Sequence, residues 1–247
     1  MVAALLSCLC SHATAAIADG PYDKAGNVFS PQGKLLQSEY ARLAVNRGAT
    51  CVGMSCSDGT VLAIRKLSQA KTPSLKPERS TRRIYRVGDA VGVLPAGLSA
   101  DGRFVGATAA ELVRRHRASY GEPLSGRVLA VQLGVFLHML SLERALRPLA
   151  TSALVACCTE QDCEEAGQGD RSSAQQAAAA AAELWLVDVS GDVQGYVACC
   201  VGQHAEAVME RWRTNKYMFD GVTCRQALSE VASLLDECGG SVGAQWE

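Results

Sequence analysis

Hydrophobic and polar positions alternate along the chain in blocks that predict two strand-rich regions, each followed by two helices. Residues Thr50–Cys56 and 61–64 are short apolar runs, and the Asp58-Gly59 pair between them favours a hairpin turn, because both positions tolerate a positive φ. A second hairpin is predicted around Gly88-Asp89. The other predicted strands are 84–87, 90–94, 151–158, 184–189 and 193–201.

The first predicted helix covers residues 31–47. Ser30 can accept hydrogen bonds from amides of the first turn, Pro31 suits the first helical position, and Gly48 can supply a left-handed cap. Apolar side chains at helical spacing form one narrow stripe, which needs a partner. That stripe contains Leu36, Tyr40, Leu43 and Ala44.

Four further helices are predicted, and two of them follow the second hairpin directly. The first begins near residue 99, where Ser99 or Asp101 can cap it. The second, 125–142, is apolar on nearly every side, so we expect it to lie between a sheet and another layer or subunit. The last two helices are 205–215 and 223–237. Strands, two helices, strands and two helices in this order predict two stacked antiparallel sheets with helices on both outer faces.

Composition supports one large domain and excludes some partners. A chain of 247 residues can bury roughly 70–75% of its unfolded surface in one core. Lys and Arg total 24 against 25 for Asp and Glu, so charge gives no reason to expect nucleic acid or a membrane as partner. Beyond the N-terminal segment there is no apolar run of about 18 residues.

The 11 cysteines contain no CxxC spacing, which favours free thiols in a reducing compartment. A zinc site is the alternative, but the histidines are scattered along the chain. They are His12, His116, His138 and His204. We therefore expect no metal and no cofactor.

Two segments differ in composition from the rest of the chain. Residues 1–20 are apolar and Ala-rich. A secretory signal has Lys or Arg before its apolar run, and this segment has neither there. We expect a flexible leader or an upstream start codon, with a targeting signal as the alternative. Residues 159–182 are acidic and then Ala-rich, which predicts a mobile surface loop.

The N-terminal motifs resemble the signature of proteasome alpha-type subunits. These motifs are Tyr22-Asp23, Phe-Ser-Pro-x-Gly-Lys-Leu at 29–35, Gln37, Glu39-Tyr40-Ala41, Ala44-Val45 and Tyr-Gly-Glu-Pro at 120–123. The resemblance implies an α+β fold, a four-layer αββα sandwich of the N-terminal nucleophile hydrolase type with an added N-terminal helix. It divides residues 21–247 into an arm (22–30), a ring-face helix (31–47) and the sandwich (49–247), which carries the insertion 159–182. The family closes with a strand pair, which the short remainder 241–247 leaves shortened or absent.

The resemblance also implies a non-catalytic structural and gating subunit of the 20S proteasome, active in ubiquitin-dependent protein degradation. Its expected partners are neighbouring alpha subunits in a seven-membered ring, the beta-subunit ring, and the C-terminal tails of a regulatory particle or activator. Its expected location is the cytoplasm and nucleus. A ring-forming paralogue outside the proteasome is a further alternative.

Each implied role falls on residues that match the family pattern. The gate residues are Tyr22, Asp23, Lys24, Pro31 and Tyr40, and the ring-face residues are Leu36, Glu39 and Leu43. Lys24 stands where the family has arginine and lacks its planar fork, so we expect weaker latching of the arm. Gly48 and Arg83 match the pocket that receives activator tails. The guanidinium group of Arg83 can bind a carboxylate there through two hydrogen bonds.

The alternative function is a catalytic beta-type threonine hydrolase of the same fold. In the register set by Gly53, Ala49 falls at the nucleophile position, and Thr50 follows Ala instead of Gly. Arg65 and Arg83 stand where that pattern has aspartate and lysine. Cleavage before residue 49 or 50 would also remove the first helix. We therefore predict no enzymatic activity.

Overall fold

Two antiparallel sheets form the centre of the computed structural model, which describes Tyr22 and residues 26–66, 82–143, 146–158, 182–214, 221–239 and 245–246. In chain order the strands are β1 (Thr50–Cys56), β2 (Gly59–Lys66), β3 (Tyr85–Arg86), β4 (Val91–Gly97), β5 (Thr151–Cys158), β6 (Ala182–Val187), β7 (Val193–Gly195), β8 (Ala198–Val201) and β9 (Gln245–Trp246). The first sheet has the order β8-β1-β2-β9 and the second the order β3-β4-β5-β6-β7. The fold is therefore mixed α+β with antiparallel sheets, as expected.

Helices pack on both sheets. They are α1 (Leu36–Asn46), α2 (Ser99–Tyr120), α3 (Gly126–Leu142), α4 (Ala205–Thr214) and α5 (Cys224–Gly239). Helices α2 and α3 contact the second sheet, and α4 and α5 contact the first. Helix α1 contacts β4 and β5. No helix in the described ranges is both long and apolar enough to cross a membrane.

Three apolar clusters hold these elements together. Leu129 and Leu133 of α3 are buried against the second sheet, and Trp212 and Leu235 of α4 and α5 are buried against the first. A third cluster joins the two sheets and includes Cys51, Ile64, Leu94 and Leu154, with Ala41 and Val45 from α1. The sheets approach closely at Gly53, where a Cβ would lie 2.7 Å from Leu184 Cδ1. The contact between the sheets therefore requires glycine in β1.

Several local predictions are confirmed. Strand β1 has the predicted bounds, and α3 begins at Gly126, one residue after its predicted start. Ser125, for which no capping role was predicted, is the N-cap of α3, because its Oγ accepts from the amide of Val128 at 3.3 Å. Helix α3 buries Leu129, Leu133 and Leu137 but leaves Val135 and Met139 exposed. The part of the chain that the structure describes thus covers only one side of this apolar helix. Helices α4 and α5 lie within two residues of their predicted bounds.

The predicted start and end of the first helix are wrong. Helix α1 begins at Leu36, because residues 30–34 form a turn of their own. The amide of Ser30 donates to the carbonyl of Lys34 at 2.8 Å, and the Lys34 amide donates to Ser30 Oγ at 3.2 Å. Ser30 therefore closes this turn instead of capping the helix. Gly48 does not adopt a positive φ; its amide donates to the Val45 carbonyl at 2.9 Å.

Three other predictions need correction. The first hairpin turns at Ser57-Asp58, because Cys56 pairs with Gly59 and Gly59 alone takes a positive φ, of 149°. The predicted strand 193–201 is two strands, β7 in the second sheet and β8 in the first. Neither Ser99 nor Asp101 caps α2, whose N-cap is Leu98 without a side-chain cap.

At the C-terminal end, the described residues include one short strand. Strand β9 has only two residues, and it pairs antiparallel with Arg65 and Lys66 of β2. The leader, the insertion 159–181, Asp23 and Lys24 lie outside the described residues.

Candidate functional site

The candidate site lies around α1, the residues before it and the start of β1. Helix α1 is fixed to the sheets by an ion pair, in which Arg42 Nη2 donates to Asp188 Oδ2 at 2.7 Å. Ser152 and Ser190 also donate to this carboxylate, at 3.2 and 3.3 Å. Burial alone would raise the pKa of Asp188, but these hydrogen bonds hold that pKa below its usual value. Asp188 is therefore ionised at neutral pH.

The outer face of α1 carries most of the predicted apolar stripe. Tyr40 is 44% exposed, Leu43 is 50% exposed and Ala44 is exposed. Leu36, by contrast, is buried with Ala41 and Val45. Ala41 and Val45 therefore hold α1 to its own chain from the face opposite the exposed stripe, whereas Leu36 belongs to the stripe and is buried in the first turn of the helix. Glu39 is exposed and lies 3.7 Å from Arg42.

The arm is attached to the end of α3. Asn27 Nδ2 donates to the Leu142 carbonyl at 3.3 Å, and a Cβ at Gly26 would lie 3.0 Å from the Ser141 carbonyl oxygen. Further along, Phe29 is 63% exposed and Pro31 is exposed. Tyr22, at the start of the arm, is half-buried.

An ion pair between the buried carboxylate of Asp101 and the half-exposed side chain of Arg147 fixes the loop beneath the arm. Arg147 donates to both carboxylate oxygens of Asp101, at 2.7 and 2.8 Å, and the Ala150 amide donates to Asp101 Oδ2 at 2.8 Å. Pro148, in the same loop, packs beside Gly26. Asp101, proposed from the sequence as a helix cap, therefore positions the loop that supports the arm. No local pattern could reveal this role, because Arg147 is 46 residues away.

The position at which a beta-type hydrolase would carry its nucleophile is buried in this chain. Ala49 and Thr50 are 3% and 2% exposed. The Gly48 carbonyl accepts from the amide of Gln203 at 3.2 Å, so the backbone before Ala49 is held in place. Arg65 pairs with Thr50 across the β1–β2 ladder. An arginine therefore stands beside this position, and arginine cannot act as a tunable base.

The two residues of the predicted docking pocket are found in one region. Gly48 is half-buried, and a Cβ there would lie 3.0 Å from the Cα of Gly97. Arg83 lies within electrostatic range of Cys51, just after the start of β1. Burial raises the pKa of the Cys51 thiol to about 12, and the positive charge of Arg83 opposes that shift. A cation and a closely packed glycine are therefore both present near the start of β1.

The described residues show no cluster of three or more His, Cys, Asp or Glu side chains that could hold a metal ion.

Comparisons with known proteins agree with the motifs. The family model described as "Proteasome subunit" matches residues 45–182, more than half of the chain. Proteasome subunit alpha type-3 from Acanthamoeba castellanii is 31% identical over 214 residues, which cover 87% of this chain and 75% of that relative. The alpha type-3 subunit from Oryza sativa subsp. japonica is also 31% identical over 214 residues, 87% of this chain and 76% of the relative.

An archaeal protein is similar as well. Proteasome subunit alpha from Methanocaldococcus jannaschii is 32% identical over 189 residues, which cover 76% of this chain and 64% of that relative. The similarity to alpha-type proteins thus extends over most of the chain and across distant organisms. The chain belongs to the proteasome subunit family, among its alpha-type members.

Proposed function

We propose that the chain is a non-catalytic structural and gating subunit of the 20S proteasome core particle. The observation that carries this proposal is the buried, continuous backbone from α1 through Ala49 into β1. In an N-terminal threonine hydrolase, the threonine at the head of this strand has a free amino group, and that amino group acts as the base for its hydroxyl. In this chain the same place is occupied by the Gly48-Ala49 peptide, next to a helix packed into the core.

The proposed architecture is a four-layer αββα sandwich, with α1 added at one end. Its support is the contact of α2 and α3 with the second sheet, of α4 and α5 with the first, and the apolar cluster between the sheets. Each sheet would then bury one face against the other sheet and one face against helices.

Exposed apolar surface supports assembly with other subunits. Tyr40 and Leu43 on α1 are exposed, as is Phe29 before it, and we take these residues as a first surface. Val135 and Met139 on α3 are exposed, as is Phe104 on α2, and we take these as a second surface. Exposed apolar side chains of this size are typical of interaction sites. We assign the first surface to neighbouring alpha subunits in a seven-membered ring and the second to the beta-subunit ring.

Copurification tests this function. A tagged full-length chain expressed in its native cell should copurify with other proteasome subunits and with peptidase activity. Its intact mass should still include the residues before Ala49, and a threonine-directed covalent inhibitor should not label it. A mature form that starts at Ala49 or Thr50 would support the beta-type alternative instead. Elution apart from all peptidase activity would support the paralogue.

The proposed gate consists of Tyr22, Asp23, Lys24, Pro31 and Tyr40. Its support is the attachment of the arm at Gly26 and Asn27 to the end of α3, which fixes the base of the arm. The proposed role of the arm before that base is to close the axial opening of the ring.

Deletion of residues 1–28 should raise basal peptide hydrolysis by the assembled particle severalfold, because the arm no longer obstructs substrate entry. The measurement is the hydrolysis rate of a short fluorogenic peptide by purified particles. Deletion of residues 1–20 is the matched control, since it keeps the arm and should leave the rate unchanged. Equal hydrolysis rates for the two deletions would show that this arm does not restrict substrate entry.

We further propose that Gly48 and Arg83 belong to a pocket for the C-terminal carboxylate of an activator. Arg83 supplies a permanent charge with bidentate geometry. Leu36, Glu39 and Leu43 remain the proposed ring-face residues, with Leu36 contributing to the inner packing of α1.

The proposed location is the cytoplasm and nucleus, in agreement with the free thiols of the described cysteines.

A further inference from the structure

Three cysteine thiols meet around Gly59, although they come from distant parts of the sequence. Cys56 ends β1 and pairs with Gly59 in the ladder. A Cβ at Gly59 would lie 3.4 Å from Cys224 Sγ, at the start of α5, and 3.7 Å from Cys158 Sγ, at the end of β5. Glycine at position 59 therefore leaves the space that the two sulfur atoms share.

Cys56 and Cys224 are the best-positioned pair in this group. Cys56 Sγ donates to the Met54 carbonyl at 3.8 Å, and the two thiols lie close enough for each to influence the pKa of the other. Two backbone contacts beside them hold β1 against α5: the Ser57 amide donates to the Val222 carbonyl at 2.9 Å, and the Cys224 amide donates to Asp58 Oδ1 at 2.6 Å. The two sulfurs are thus adjacent in the reduced protein.

Access differs among the described cysteines. Cys51, Cys157, Cys199 and Cys200 are buried, whereas Cys158 and Cys224 are partly exposed. Cys56 is 4% exposed. A small oxidant can therefore reach Cys224 first, and Cys56 is in place behind it to complete a bond.

We propose that Cys56 and Cys224 form a reversible intrachain disulfide when the chain meets a small-molecule disulfide such as oxidised glutathione. The Cys224 thiolate attacks one sulfur of the oxidant, its S–S bond breaks, and one glutathione leaves as a thiolate that takes up a proton. Cys56 then loses its proton and attacks the Cys224 sulfur, which expels the second glutathione. Two protein thiols are oxidised, and one glutathione disulfide is reduced to two thiols.

Asp58 controls how readily this happens. Burial raises the pKa of Cys224, and the hydrogen bond to Asp58 raises it further, with a smaller contribution from Cys56. Cys224 therefore stays protonated at neutral pH, and the reaction is slow unless the oxidant persists. Asp58 also accepts the Cys224 amide at the start of α5, which an asparagine at this position can still do.

The test uses the full-length chain, incubated with oxidised glutathione, alkylated to block free thiols, digested and analysed by mass spectrometry. We expect a peptide that joins Cys56 to Cys224, has lost two hydrogens and disappears after reduction. The buried Cys200, in another strand, provides the matched control: Cys200→Ser should keep the link. Cys56→Ser should abolish it and leave Cys224 as a mixed disulfide with glutathione.

The proposal is overturned if both thiols of the wild-type chain are recovered fully alkylated, or if Cys224 is linked to Cys158 instead. Wild-type protein decides this, so a poorly folding variant does not affect the outcome. Asp58→Asn should accelerate link formation by about threefold for each unit by which the Cys224 pKa falls, because the tenfold gain in thiolate is partly offset by lower nucleophilicity. An unchanged rate in Asp58→Asn would contradict the role of Asp58.

Discussion

Replacement of Gly97 by alanine should lower the free energy of unfolding by about 4 kcal/mol, a large part of the stability of a typical domain. Gly97 has a φ of +118°, which an L side chain rarely adopts. An added Cβ would overlap the carbonyl oxygen of Ala150 and would lie 3.0 Å from Val45 Cγ2. Gly97 is the point at which α1, β4 and β5 meet, so the effect should also reach the candidate site. Urea unfolding of the purified chain measures the change.

Gly121 provides the control for backbone strain alone. Its φ is +76° at the end of α2, and a Cβ there would have nothing within 4 Å. Gly121→Ala should therefore cost only about 1 kcal/mol. If both variants lose the same stability, then contact with Ala150 and Val45 is not what requires glycine at position 97.

Replacement of Asp101 by alanine should lower the free energy of unfolding at neutral pH by about 3 kcal/mol. The change removes both hydrogen bonds from Arg147 and leaves the buried Ala150 amide without its acceptor. The loop at 147–150 should loosen, and the arm base beside Pro148 with it. Unfolding in urea at neutral pH measures the loss.

The contribution of Asp101 to the free energy of unfolding should depend on pH. Burial by itself would raise the pKa of Asp101, but the hydrogen bonds from Arg147 and Ala150 outweigh it and hold the pKa below its usual value. The contribution of Asp101 is therefore complete above the pKa of an unfolded aspartate, about 4, and is lost as the pH falls through the lower folded value. The stabilities of wild type and Asp101→Ala should converge in acid.

Asp89 is the matched control for a surface pair. Its carboxylate lies 2.9 Å from Arg117, but both side chains are about two-thirds exposed, at 65% and 67%. Asp89→Ala should change stability by less than about 1 kcal/mol. A loss as large as that of Asp101→Ala would mean that burial does not determine the strength of these pairs.

Elements that depend on neighbouring residues were predictable from the sequence. Strand β1 is a continuous apolar run, and the cap of α3 is a serine directly before an apolar helix. The pairing of Thr50 with Arg65, by contrast, depends on a turn at Ser57-Asp58, whereas the sequence predicted the turn at Asp58-Gly59. The arm motifs alone indicate the family, because many fixed positions occur in one register.

Features that depend on distant residues were not predictable. Ser30 and Pro31 look like a helix start, but Gly33, with a φ of +77°, allows a closed turn that competes with it. The segment 193–201 reads as one strand, because periodicity does not reveal which sheet each half joins. Asp188 and the Cys56-Cys224 pair were missed for the same reason, since their partners lie far away in sequence.

The pairing of β5 with β6 shows where the chain can change length. Cys158 and Ala182 face each other as the last rung of their ladder, so everything between them begins and returns at one point. Each doubling of such a connection costs only about 0.6 kcal/mol of closure entropy. Evolution can therefore lengthen or shorten this stretch without repacking either sheet, whereas the two-residue crossing between β7 and β8 leaves no such freedom.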